Sequence, residues 1–108
     1  MNYNVEKLND NTWFIEEYDE TASAYMYLLT GKNKALLIDT GFGTIPLRKI
    51  CEELTDLPIV VALTHGHVDH IGGTGAFDEV WLEKADKELY AAHSKDEVRR
   101  IFTQDKLL

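Results

Sequence analysis

Residues 59–73 read Ile-Val-Val-Ala-Leu-Thr-His-Gly-His-Val-Asp-His-Ile-Gly-Gly. The first five are apolar and rich in β-branched side chains, the composition of a strand buried on both faces. At Thr64 the character changes. Three of the chain's four histidines, His65, His67 and His70, then fall within six residues together with Asp69. Neutral imidazole and carboxylate are the usual nitrogen and oxygen ligands of zinc and similar divalent ions. In extended backbone His65 and His67 point to the same side, because side chains alternate with period two. Asp69 and His70 come one turn later, where Gly72 and Gly73 let the chain bend and pack closely. One loop thus offers two ligand pairs to two neighbouring ions, at a strand end, where binding loops sit in open α/β sheets. Adventitious metal binding by a short His-rich tract is the plainer alternative. The threonine closing the β-run, the glycine between ligands and the glycine pair behind them favour a built site.

Outward from this loop the chain divides by period. Before residue 40 it reads as strands: Val5–Leu8 and Thr12–Tyr18 flank the turn signal Asn9-Asp10-Asn11, and Ala24–Thr30 and Ala35–Asp39 flank Gly31-Lys32-Asn33-Lys34. These four segments form a meander of antiparallel strands. Leu47, Ile50, Cys51 and Leu54 then recur at helical spacing, with Thr44 as the expected N-cap and Pro46 in the first turn. Pro58 separates this helix from the buried strand. After the histidine loop come a short strand over Glu79–Leu82 and two helices, Lys84–Ala92 and Lys95–Thr103, with Ser94 and Glu97 at capping-box spacing. The fold class is mixed α+β, a β-meander followed by β-α-β-α-α, with helices packed on a sheet.

Composition agrees. A length of 108 residues suits one domain, 1–108, and the 44% hydrophobic content with eleven aromatic residues supplies a core. Nineteen acidic against eleven basic residues give a net charge of -8, which argues against nucleic acid and anionic membrane surfaces as partners. Cys51 is the single cysteine, so no disulfide framework or Cys-rich zinc module exists. No basic leader with an apolar stretch follows Met1 and no apolar run approaches the ~20 residues of a membrane span, so the expected compartment is the cytoplasm.

The run His65-Gly66-His67-Val68-Asp69-His70, preceded by a strand and Thr64 and followed by Ile71-Gly72-Gly73, resembles the signature of the metallo-β-lactamase-fold hydrolases. Ala35-Leu36-Leu37-Ile38-Asp39-Thr40-Gly41 resembles the element before that superfamily's first helix, and Phe77-Asp78-Glu79-Val80 a later strand entry. The whole chain is similar to the N-terminal half of the family's αββα sandwich, and most resembles small bacterial glyoxalase-II-like members. His67 stands where the flavo-diiron branch carries an acid, which favours zinc hydrolysis over oxygen or nitric-oxide reduction. The resemblance implies His65 and His67 as ligands of a first metal, Asp69 and His70 of a second, and Asp69 also as the group that orients or deprotonates the attacking water. Asp39, Thr64, Gly72 and Gly73 would support these ligands from behind. The implied cofactor is zinc, two ions in a complete protein, with iron or manganese as other candidates. The implied reaction is attack by a metal-held hydroxide on a small ester, thioester, lactone or phosphodiester. Further ligands belong to the family's second half, so the 108 residues alone are expected to be weak or silent. They are also expected to cover their open sheet face by homodimerisation, domain swapping or the missing C-terminal half.

Other residues receive plainer expectations. His93, inside a helix, reads as a surface or packing residue, and Cys51 as a small core residue. Trp13, Phe14, Tyr25 and Tyr27 alternate on strands and pack rather than bind substrate. Glu16, Glu17, Asp19 and Glu20 read as a solvated strand end. Two other functions compete: a non-catalytic metal- or partner-binding module, and, weakly, a dimeric aspartic protease built on Asp39-Thr40-Gly41, which would leave the histidines unexplained.

Overall fold

The computed structural model describes residues 1–103; the last five residues of the domain expected over 1–108 lie outside the described residues. Strands β1 (Asn2–Asn9), β2 (Thr12–Tyr18), β3 (Ser23–Thr30) and β4 (Ala35–Ile38) form the meander, antiparallel throughout. Its turns are made by the expected polar residues: Asn9 Oδ1 accepts the Asn11 N–H, and the Gly31 N–H donates to the Lys34 carbonyl. Helix α1 (Leu47–Leu54) follows, and β5 (Ile59–Leu63) and β6 (Val80–Leu82) add parallel to β4 and to each other. Among the described residues this is one six-stranded sheet in the order β1-β2-β3-β4-β5-β6. The antiparallel half needs only hairpins, whereas each parallel step needs a crossover long enough to hold a helix.

Helices α1, α2 (Val68–Ile71), α3 (Lys87–His93) and α4 (Asp96–Thr103) complete the mixed α+β fold. The apolar stripe of α1, Leu47, Ile50 and Cys51, is buried with Met26, Leu28, Leu37 and Val61 of the central strands. Cys51 is the core residue its spacing implied. Burial, with the nearby Glu52 carboxylate, pushes its thiol up to about 12, so it stays protonated and is a poor nucleophile. The opposite sheet face is open. Phe14 packs against Tyr25 and Tyr27, with ring centroids 5.5 and 5.4 Å apart, yet Tyr25, Tyr27, Leu36 and Trp81 remain exposed on it.

Three local expectations are corrected. Thr44 does not cap α1: its N–H and hydroxyl both go to the Glu17 carboxylate, and Pro46 occupies the cap position without a side-chain bond. Ser94 does not open α4 with Glu97; its hydroxyl donates back to the Ala91 carbonyl and closes α3. The helix expected over Lys84–Ala92 is a 3-10 turn at Lys84–Asp86 followed by α3.

The largest correction is Glu17. It is fully buried, with 0% exposure, and accepts the N–H groups of Phe42 at 2.6 Å and Thr44 at 2.8 Å as well as the Thr44 hydroxyl. A buried carboxylate is tolerated when hydrogen bonds replace its water. The clue lies in the alternation of β2, which puts Glu17 on the same face as buried Ile15, while Glu16 faces outward opposite Tyr25. Asp19, from the same acidic run, forms the β2–β3 turn by accepting the N–H groups of Thr21 and Ala22. Charge counting hid both roles.

Replacing Glu17 with alanine strands two N–H groups and a hydroxyl, and is expected to cost about 3 kcal/mol of stability in urea unfolding. Glu17→Gln, which keeps one acceptor oxygen, should lose less. Cys51 is expected to resist iodoacetamide at pH 8 in the folded protein and to react only once the protein is denatured.

Candidate metal centre

The parallel pairing of β4 with β5 builds the site. Ile38 lies opposite Ala62, and the Asp39 N–H donates to the Ala62 carbonyl at 3.0 Å. The residues that follow the two strands, Asp39 and Thr64, are thereby brought side by side. Asp39 adopts φ 66°, a left-handed conformation that aspartate tolerates better than most residues. Its buried carboxylate turns across to the neighbouring strand end. Oδ1 accepts the Thr64 N–H at 2.7 Å, Oδ2 accepts the Thr64 hydroxyl at 2.8 Å, and Oδ2 also bonds His70 Nδ1 at 2.7 Å. Both oxygens are taken within the chain, the opposite of the open carboxylate pair that an aspartic protease shares between subunits.

This network assigns the histidine tautomers. A carboxylate only accepts, so His70 carries its proton on Nδ1 and leaves the Nε2 lone pair free to ligate. The Thr64 hydroxyl spends its one proton on Asp39, so it accepts from His65 Nδ1 at 3.0 Å. His65 is thus set in the same tautomer. His70 Nε2 lies 3.4 Å from the Asp69 carboxylate, and the rings of His65 and His70 are 3.9 Å apart. Donor atoms of His65, Asp69 and His70 all lie within 4.8 Å of one another. Two imidazole nitrogens and a carboxylate oxygen at that spacing fit a divalent metal ion. His67 stands outside this group of three. Its ring packs edge-on against His65 at 4.7 Å on one side and lies 5.5 Å from His93 on the other.

Behind these candidate donors, the loop is locked to the segment after β4. The Thr40 N–H donates to the His70 carbonyl at 2.8 Å, and the Gly73 N–H reaches the Thr40 hydroxyl at 3.1 Å. Thr40 also shares a 3.0 Å hydroxyl bond with buried Thr74, a support residue that sequence reasoning missed. The Gly72 N–H donates to the Gly41 carbonyl at 2.7 Å, and a Cβ on Gly72 would fall 2.0 Å from the Phe42 carbonyl carbon. Only glycine permits that approach. Glu17 holds the other side of the same loop through Phe42 and Thr44, so it supports the site from a strand far away in sequence. Arg99 of α4 adds a 2.8 Å bond to the Gly72 carbonyl. Among the described residues no helix is long and apolar enough to cross a membrane.

Known proteins share this sequence and fold. The profile of the metallo-beta-lactamase superfamily matches residues 20–97. The human acyl-coenzyme A thioesterase MBLAC2 is 30% identical over 103 residues, covering 82% of this chain and 37% of that protein. The probable metallo-hydrolase YybB of Bacillus subtilis (strain 168) is 32% identical over 87 residues, covering 80% of this chain and 31% of its own length. A solved metallo-beta-lactamase from Pontibacter korlensis superposes with a TM-score of 0.74 at 25% identity, covering 87% of this chain and 49% of that structure. The chain therefore spans about a third of these curated relatives and about half of that solved structure. From its strand order to its histidine loop, the chain belongs to the metallo-beta-lactamase superfamily.

Proposed function

We propose that this chain carries the metal loop of a zinc-dependent hydrolase acting on a small ester-type substrate. The observation that carries the reading is the bond from Asp39 to His70 Nδ1 at 2.7 Å, which turns Nε2 towards Asp69 and His65. Carboxylate–histidine pairs of this kind fix the ring and raise its basicity as a ligand. His65, Asp69 and His70 are the proposed donors, with His67 beside them as a fourth. When bound, zinc supplies Lewis-acid polarisation and a water acidic enough to attack near neutral pH. Asp69, half-exposed at the mouth of the group, is placed to orient that water and receive its proton.

Among esters, thioesters, lactones and phosphodiesters, the thioester is favoured, because the human and bovine relatives are both acyl-coenzyme A thioesterases. A second ion and the remaining ligands are assigned to parts of the protein beyond this chain or to a second copy. The same partner would cover the exposed face of Tyr25, Tyr27, Leu36 and Trp81, since an apolar patch of this kind marks an interaction surface. One buried thiol and no disulfide suit a reducing compartment such as the cytoplasm. A non-catalytic metal-binding module is the second reading, favoured by the small number of donors that converge within the described residues.

Chelator competition should find zinc bound by the protein, with His65→Ala, Asp69→Ala and His70→Ala each weakening it. Asp39→Asn should weaken it by about 10–100-fold without touching the ion. Zinc affinity unchanged in Asp39→Asn would remove the basis of this reading. Hydrolysis of a short-chain acyl-coenzyme A by the zinc-loaded protein, abolished by chelator and by Asp69→Ala, separates the enzyme from the module, which would bind zinc without turnover.

A further inference from the structure

His93 is the one histidine outside the motif, yet the fold returns it to the loop. Helix α3 and the turn before it press directly on the backbone there: a Cβ on Gly66 would fall 2.6 Å from the Tyr90 nitrogen and 2.9 Å from the Asp86 carbonyl oxygen. At the end of α3, His93 Nδ1 accepts the N–H of Val68 at 3.0 Å. Val68 is buried and is the first residue of α2, whose N-cap, His67, makes no side-chain capping bond. First-turn N–H groups have no partner within their own helix. His93 therefore supplies from another helix the acceptor that the local sequence lacks.

We propose that His93 is a positioning residue for the metal loop, acting by pinning the peptide unit between His67 and Val68. That unit is held at both ends. Its N–H goes to His93, and its carbonyl accepts the His70 N–H at 2.9 Å. A peptide plane fixed on both sides sets the direction of His67 before it and of Asp69 and His70 after it. The packing of the His93 ring on that of His67, at 5.5 Å and near-perpendicular, braces the same point. Accepting at Nδ1 places the neutral ring's proton on Nε2, so in this arrangement His93 presents no lone pair to an ion. Its role is orientation, and it rests on the reading of residues 65–70 as a metal loop.

The test uses the full chain with His93→Leu, which keeps bulk and removes the acceptor, and His93→Asn, whose amide oxygen can replace Nδ1. In the leucine variant the Val68 amide should exchange at least tenfold faster with solvent and zinc affinity should fall by about tenfold, the usual effect of losing an outer-sphere support. Asparagine should restore both. Unchanged Val68 exchange and zinc affinity in His93→Leu would reduce His93 to packing, and a loss in His93→Asn equal to that in leucine would show that the imidazole itself is required. Nitrogen NMR of the unsubstituted protein decides the point even if the leucine variant does not fold: the Nε2–H tautomer supports the pin, and a proton on Nδ1 overturns it. Failure of the unsubstituted protein to take up zinc would defeat the metal reading instead, while the Val68 exchange and the tautomer still decide whether the pin exists.

Discussion

The Asp39 carboxylate is the joint on which the site depends. It lies where two parallel strands end together, and it serves three partners: the Thr64 backbone, the Thr64 hydroxyl and the His70 ring. Each bond constrains a different degree of freedom. The first closes the strand ends, the second passes order on to His65 through the threonine hydroxyl, and the third sets the rotation and tautomer of His70. Parallel pairing is what makes this possible, because only parallel strands bring the ends of β4 and β5 to the same edge of the sheet.

Glu17 does for the neighbouring loop what Asp39 does for Thr64 and His70. Both are buried carboxylates in a chain that already carries a net charge of -8. Among the described residues neither is paired with a lysine or arginine. Their charges are met instead by backbone N–H groups, hydroxyls and a ring N–H, which are fixed in place and need no flexible side chain to be ordered. Backbone groups that would otherwise lack a partner in the segments after β4 and β5 become the solvation of these acids. Loop conformation and carboxylate burial are therefore mutually dependent, and the glycines at 41 and 72 allow the close approaches that the arrangement needs.

The donor set shows how a contiguous motif and distant supports divide the work. His65, Asp69 and His70 lie within six residues, and the loop at 65–67 with the one turn of α2 brings their donor atoms together. What surrounds them comes from everywhere else: Asp39 and Thr40 after β4, Glu17 from β2, Thr74 behind the loop, Arg99 from α4 and His93 from α3. A short loop has too few backbone bonds of its own to fix its side chains, so the rest of the fold provides them.

Sequence alone determined the elements with a local physical cause. The meander followed from alternation and polar turns, α1 from its apolar stripe, the clustering of His65, Asp69 and His70 from their close spacing, and the burial of Cys51 from its place on that stripe. Local spacing also indicated that Gly72 and Gly73 would allow close packing, though not against what. Tertiary structure decided everything that rests on contacts between segments remote in sequence. It made Glu17 a buried anchor instead of a solvated acid and gave Thr44 to Glu17 instead of to α1. It also divided the helix over 84–92 and carried His93 from an apparently neutral helical position to the edge of the histidine loop. Periodicity reports which face a residue occupies, but a hydrogen-bond partner twenty-five residues away exists only after the sheet has set its register.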